Sequence, residues 1–160
     1  MRSLAAKTVV AALAAGALLA LPAAAGASSL TSSEGMLLRE INAVRAAHGL
    51  HALRYDAALE RAARAHSNDM ARRGYFAHGA FTSRMIHFAV RGPYVGENLA
   101  WGTGSYGSAR GIVAAWLRSP EHRANLLRPG FRRIGLGEVT STTFEGAAGA
   151  NVVTADFAGF

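Results

Sequence analysis

The first half of the chain contains two segments in which apolar residues recur every three or four positions, as they do along one face of a helix. The first segment begins with a Thr-x-x-Glu capping box and is followed by Gly49, so we predict a helix over about 33–48. The second follows Asp56, a favourable cap, and ends before Gly74, so we predict a helix over about 57–73.

Glycine, proline and serine divide the second half of the chain into shorter segments. We predict three helices and two strands there, over about 82–90, 108–118, 120–127, 134–140 and 151–157. Thr82 or Ser83 is the expected cap of the first of these helices, and Ser119 is the expected cap of the last, with Pro120 at its first position. A Gly-, Ala- and Thr-rich loop is expected to join the two strands. Helices followed by a hairpin predict an α+β fold.

Residues 102–107 match the Gly-x-Gly-x-x-Gly fingerprint of dinucleotide-binding loops. That fingerprint requires a parallel strand after its helix, whereas residues 119–122 start a second helix instead. We therefore reject nucleotide binding by this loop and interpret its glycines as a flexible or ligand-adjacent turn.

Residues 1–27 have the three-part layout of a secretory signal peptide, with basic residues, an apolar run and small residues before a cleavage site. Cleavage after Ala25 or Ala27 is expected to leave a short lead over 28–35 and one domain over 36–160. The product is expected to be a secreted, extracellular monomer without a transmembrane segment. The chain has no cysteine, which excludes disulfides, lipoprotein attachment and a cysteine nucleophile.

The net charge of the chain indicates which surfaces attract the protein. The cleaved chain carries 15 basic and 10 acidic side chains, a net charge of +5. This balance favours anionic cell-wall polymers or lipid surfaces as partners. The basic residues are scattered, so a solvated surface is an equally good interpretation, and no specific nucleic-acid partner is expected.

Two histidines and a glutamate in three separate segments are the main candidates for chemistry. His78 lies in an aromatic loop, Glu97 and Asn98 precede an apolar segment, and His122 lies near the start of a short helix. Loops beside rigid helices concentrate binding residues, which favours a role for His78. His66, on the apolar face of the second predicted helix, is instead interpreted as a core histidine with hydrogen-bonded nitrogens.

Local physical chemistry gives three further expectations. The start of a helix disfavours a positive imidazolium, so His122 is expected to be neutral. Asn98 and Asn125 are expected to bond to nearby backbone, Asn125 within the turn at 128–130. The Ser119 hydroxyl is interpreted as a helix cap rather than as a nucleophile.

An ordered set of motifs over residues 36–160 resembles the CAP superfamily, also called SCP or pathogenesis-related-1-like, in its bacterial secreted branch. The matching stretches are 62–71, 75–78, 96–98, 116–125, 134–137 and 156–157. The resemblance implies a three-layer α-β-α sandwich with a small antiparallel sheet and a cleft on one face. It also implies binding of a lipid, a cell-wall component or a divalent cation.

In the family, this cleft holds two histidines and two acidic residues. The resemblance assigns His78, Glu97 and His122 to three of these places, while Ser119 stands where the fourth acid is expected and Glu121 lies close by. Such a group suits a divalent metal, zinc above all, proton exchange with a substrate, or a structural network.

Three functions stay open at this stage. The first is a secreted binding module whose cleft or apolar groove takes up a ligand through His78, Glu97, Asn98 and His122, or a metal ion through the two histidines and Glu97. The second is a metal-dependent extracellular hydrolase with His78, Glu97, His122 and Glu121 as its catalytic residues. The third is a structural accessory domain of the stress or spore type.

Overall fold

A computed structural model describes residues 29–160; the predicted signal peptide, residues 1–27, lies outside the described residues. The elements in chain order are α1 (Ser32–Ala47), β1 (Arg54–Tyr55), α2 (Ala57–Arg73), α3 (Phe81–His87), β2 (Val95–Gly102), α4 (Ala109–Arg118), α5 (Pro120–Leu126), β3 (Arg133–Phe144) and β4 (Ala147–Ala158). None of the helices in 29–160 is both long and apolar enough to cross a membrane.

The two long helices form where their caps and apolar spacing predict them. The capping box of α1 closes in both directions, since the Thr31 hydroxyl accepts from the Glu34 amide and the Glu34 carboxylate accepts from the Thr31 amide. Asp56 accepts from two amides at the start of α2, and Gly74 ends that helix in the left-handed conformation. The predictions of both long helices are confirmed. They were possible because each helix begins and ends through contacts between residues close together in the chain.

The predictions for two short helices are partly wrong. Helix α3 begins after Ala80, without a side-chain cap, and ends at His87, so neither Thr82 nor Ser83 caps it. Ser119 does occupy the cap position of α5, but its hydroxyl makes no capping hydrogen bond. The proline at the first position lacks an N–H and restricts φ, which favours the start of α5 without help from the serine.

Strands β3 and β4 are longer than predicted and form a tight hairpin. Their pairing runs from Arg133 opposite Ala158 to Phe144 opposite Ala147. Only Glu145 and Gly146 connect them, both with positive φ, as a two-residue turn requires, so the expected Gly-, Ala- and Thr-rich loop is instead part of the strands.

The sheet has the order β1-β3-β4-β2, in which only the short β1 pairs in parallel. Strand β2, which the sequence pattern did not predict, lies at one edge. The helix after residues 102–107 leads into α5 and not into a parallel neighbour of β2, which agrees with the rejection of a dinucleotide fold.

Helices cover both faces of this sheet, which confirms the α-β-α sandwich. On one face, Trp116 of α4, Ile41 of α1 and Leu126 of α5 share a core with alternate residues of the strands. On the other face, α2 lies so close that a Cβ at Gly135 would stand 2.0 Å from the α2 backbone. This close approach places the side chains of α2 and α3 directly over the sheet.

Candidate functional site

Successive residues of a strand point to opposite faces of the sheet, and this separates Glu97 from Asn98. Glu97 is 6% exposed and faces the α2–α3 layer, where the His78 ring nitrogen Nδ1 lies 2.6 Å from its Oε1 and the Arg84 guanidinium contacts its Oε2. Asn98 is fully buried and faces α5. The two neighbours therefore serve different halves of the site.

His78 is held by its contact with Glu97 while its ring stays accessible. It lies in the loop between α2 and α3, and Arg84 donates to its carbonyl oxygen at 3.3 Å. Its side chain is 57% exposed. With Nδ1–H donating to Glu97, the neutral ring has Nε2 left as a hydrogen-bond acceptor.

His66 is the core histidine that its position on α2 predicts. Its side chain is 3% exposed, and Nε2 lies 3.0 Å from the Ala77 carbonyl oxygen, which it bonds as a donor. Burial lowers the pKa of His66, and the positive charge of Arg84 lowers it further, against a smaller opposing effect of Glu97. A neutral His66 therefore lies behind Glu97, with Nε2 at 3.9 Å from Oε2.

Helix α5 is tied to β2 by two asparagines. Asn98 donates to the His122 carbonyl oxygen at 2.9 Å, and Asn125 donates to the Glu97 carbonyl oxygen at 3.1 Å and to Asn98 Oδ1 at 3.0 Å. The prediction that these side chains bond to their own local backbone was wrong. Asn125 does not hold the turn at 128–130 with its side chain; it fixes the helix that carries His122.

His122 is half-buried, and its pKa is lowered first by burial and then by the neighbouring His78 imidazole, against a smaller effect of Glu121. The predicted direction is thus confirmed, although the causes differ from the helix dipole that we expected. Because β2 is an edge strand, His78 from one layer and His122 from the other can influence each other beside it.

The sequence analysis missed two charged residues at the site, Arg84 and Asp156. Arg84 supplies the positive charge beside Glu97, and Asp156 lies opposite Glu97 in the β2–β4 pairing with no exposed surface. An acid within the otherwise apolar run of β4 was a usable signal for Asp156. Arg84 gave no such signal in the sequence, because a single arginine on a short helix is common on protein surfaces.

The site residues do not form a ready metal centre. Across residues 29–160, no group of three or more His, Cys, Asp or Glu side chains is arranged to hold a metal ion. Both oxygens of Glu97 already have partners, one of them the cation Arg84. Glu121 is exposed on α5. The zinc prediction therefore depends on His78 and His122 alone, and two imidazoles are fewer ligands than a zinc site normally has.

A separate cavity of about 560 Å³ lies between α1 and the loop and first turn of α4, and we call it the α1–α4 groove. It contacts Asn151, which is paired with Gly102, so it lies five residues or about 17 Å along β2 from Glu97. Burial raises the pKa of Glu138 in its wall. Lining residues include Met36, Ala43, Ala109, Arg39, Arg110 and Glu138.

Comparison with known proteins matches most of the chain to one family. A family model for CAP, the cysteine-rich secretory protein family, matches residues 38–157. The uncharacterized protein YkwD of Bacillus subtilis is 36% identical over 119 residues, which cover 71% of this chain and 45% of that protein. The uncharacterized membrane protein YlbC of the same species is 33% identical over 112 residues, which cover 67% and 32%. The chain thus spans less than half of either relative.

Solved structures show the same fold. An outer surface protein of Borrelia burgdorferi aligns with a TM-score of 0.67 and 22% identity, over 78% of this chain and 90% of that one. An extracellular protein of Bacillus anthracis that contains an SCP domain aligns with a TM-score of 0.61 and 26% identity, over 84% of this chain and 45% of that one.

Proposed function

Since the chain belongs to the cysteine-rich secretory protein (CAP) family, we propose that it is an exported binding module whose α1–α4 groove takes up an acyl chain of an amphiphilic lipid. The observation that carries this proposal is the groove itself. Its volume of about 560 Å³ is in the range of small-molecule sites, and Met36 in its wall is 49% exposed although it is apolar.

The chemistry of the groove suits an amphiphile. Met36, Ala43 and Ala109 offer apolar surface, and each methylene group that they cover contributes about 0.8 kcal/mol. Arg39 and Arg110 lie in the same wall, together with Glu40 and Glu138, and offer cations to an acidic headgroup. The net charge of +5 after removal of residues 1–27 favours approach to anionic lipid.

Export is part of the proposal. The sequence of residues 1–27 has the layout of a signal peptide, and the related Bacillus anthracis protein is described as extracellular. Fractionation of cells that produce the full chain tests this directly: the protein should appear in the medium or at the cell surface, shortened by 25 or 27 residues. Full-length protein retained inside the cell would contradict export.

Binding of a fluorescent fatty acid to the purified chain without residues 1–27 tests the groove. Met36→Glu places a charge in the apolar wall, and Ala43→Trp fills the cavity, so each should weaken binding at least about tenfold. Ile86→Glu is the matched control, because Ile86 is also an exposed apolar helix residue, 74% exposed, but lies on α3 outside the groove. Equal binding by all four proteins would refute the lipid proposal.

A second candidate function belongs to the His78–Glu97–His122 site, where the exposed His78 ring has a free acceptor nitrogen and His122 is held neutral. We propose that these imidazoles accept hydrogen bonds from a hydroxyl-rich cell-wall component, with Asn98 and Glu97 holding the two sides of the site. A pull-down with purified cell wall should lose protein in the His78→Ala, His122→Ala double variant but not in Met36→Glu.

The same double variant separates the remaining functions. Zinc-dependent hydrolysis of wall or lipid by the wild type, lost in the variant, would favour the hydrolase with His78, Glu97, His122 and Glu121. A lower melting temperature with unchanged wall binding would favour the structural accessory domain. A rise in melting temperature on adding zinc to the wild type alone would indicate a metal held by the two histidines.

A further inference from the structure

Asp156 has an environment that an ionised carboxylate would not tolerate. It is fully buried, and neither of its side-chain oxygens has a hydrogen-bond donor within the described part of the chain. Its neighbours across the sheet are Glu97 on β2 and Gly135 on β3. The backbone of α2 fills the space that a side chain at Gly135 would occupy beside Asp156.

The polar neighbour of Asp156 is another acid. The Glu97 side chain lies beside it across the β2–β4 pairing, and Arg84 is the cation whose charge reaches both acids. Two carboxylates in contact cannot bond to each other, because both are acceptors, unless one of them holds a proton. The titratable groups that face this pair are His66 from α2, His78 from the following loop and Arg84 from α3.

We propose that Asp156 is a neutral carboxylic acid in the folded protein and donates a hydrogen bond to Glu97, which makes it a positioning residue for His78. The pair then carries one negative charge, balanced by Arg84. Burial raises the pKa of Asp156 well above its ordinary value, and the charge of Glu97 raises it further. With Asp156 and Arg84 as donors, Glu97 is fixed so that Oε1 meets His78 Nδ1.

This inference deepens the second candidate function, since it concerns how His78 is held. It does not require a ligand, so its test uses the protein alone. Failure of the lipid or wall proposals would leave it intact, and its own failure would leave both binding assays unaffected.

Titration of His78 by NMR, followed at its Cε1–H signal, tests the positioning role in three variants. Asp156→Asn supplies another neutral donor, so the His78 midpoint should stay within about 0.2 pH units of the wild type. Asp156→Ala removes the donor, which leaves Glu97 a stronger partner for the imidazolium and should raise the midpoint by about half a unit. Glu97→Gln removes the negative charge and should lower the midpoint by about one unit or more.

Two results would overturn the inference. If Asp156→Asn lowered the His78 midpoint as far as Glu97→Gln does, Asp156 would be a second carboxylate in the wild type. If Asp156→Ala left the midpoint unchanged, Asp156 would be a packing residue only. Should a variant fail to fold, the carboxyl ¹³C signal of Asp156 in the wild type decides: it should stay in the protonated position at about pH 7, and an ionised signal there refutes the proposal.

Discussion

Replacing Arg45 with methionine is expected to destabilise the fold strongly, although Arg45 lies in neither candidate site. Its side chain is fully buried on α1, and within residues 29–160 it donates to four backbone carbonyl oxygens: His51 at 2.9 Å, Leu126 at 2.6 Å, Arg128 at 3.3 Å and Phe131 at 3.2 Å. Three of these carbonyls lie at or just after the end of α5. Arg45 therefore satisfies the last carbonyl group of α5 and two carbonyl groups of the loop that follows it.

The magnitude follows from the geometry of these bonds. A hydrogen bond from a charged donor contributes about 1.5–3 kcal/mol, so the two shorter bonds alone, at the low end of that range, give a loss of about 3 kcal/mol. Methionine keeps most of the aliphatic volume, so a large cavity is not expected. For a domain of this size, a loss of about 3 kcal/mol corresponds to a fall in melting temperature of about 12 °C.

Urea unfolding followed by tryptophan fluorescence measures this loss. Arg39→Met is the matched control, because Arg39 is an exposed arginine on the same helix, and it should change the unfolding free energy by less than about 0.5 kcal/mol. Arg45→Lys keeps the charge but not the planar fork of donors, so it should recover less than half of the loss. A cost below about 1 kcal/mol for Arg45→Met would refute the assignment of Arg45 as the cap of α5.

Three further predictions concern stability. Gly137→Ala places a Cβ 2.3 Å from the α2 backbone, which cannot move aside as a side chain would, and should cost at least about 1–3 kcal/mol in thermal unfolding. Ser108→Ala should cost about 1 kcal/mol, because its hydroxyl caps α4, whereas Ser119→Ala should be neutral; equal costs would contradict the cap geometry. Burial favours a raised pKa for Asp56, but hydrogen bonds from backbone amides of α2 and the contact with Arg133 outweigh burial, so the pKa is lowered. The stability that this provides is present above about pH 4 and is lost as pH falls through the lowered pKa. Asp56→Asn should therefore flatten this part of the curve of unfolding free energy against pH.

The candidate site was predictable only in part, and the reason is the range of the contacts. The ionisable partners His78 and Glu97 were recognisable as residues, yet their contact joins positions 19 apart in the chain through a loop and an edge strand. Arg84 reaches the same carboxylate from α3, and Asp156 reaches it through strand pairing. None of these long-range contacts produces a periodic pattern of residues along the chain.

The sequence by itself determined the long helices, the presence of the two hairpin strands and the family, because capping and apolar spacing act between neighbours along the chain. The Thr31 capping box and the left-handed Gly74 illustrate this local control. The tertiary structure alone decided that β2 is a strand, that Glu97 and Asn98 face different layers, and that Asn125 holds α5. Those features depend on the pairing of β2 with β4, and a strand obtains its hydrogen bonds from a distant part of the chain.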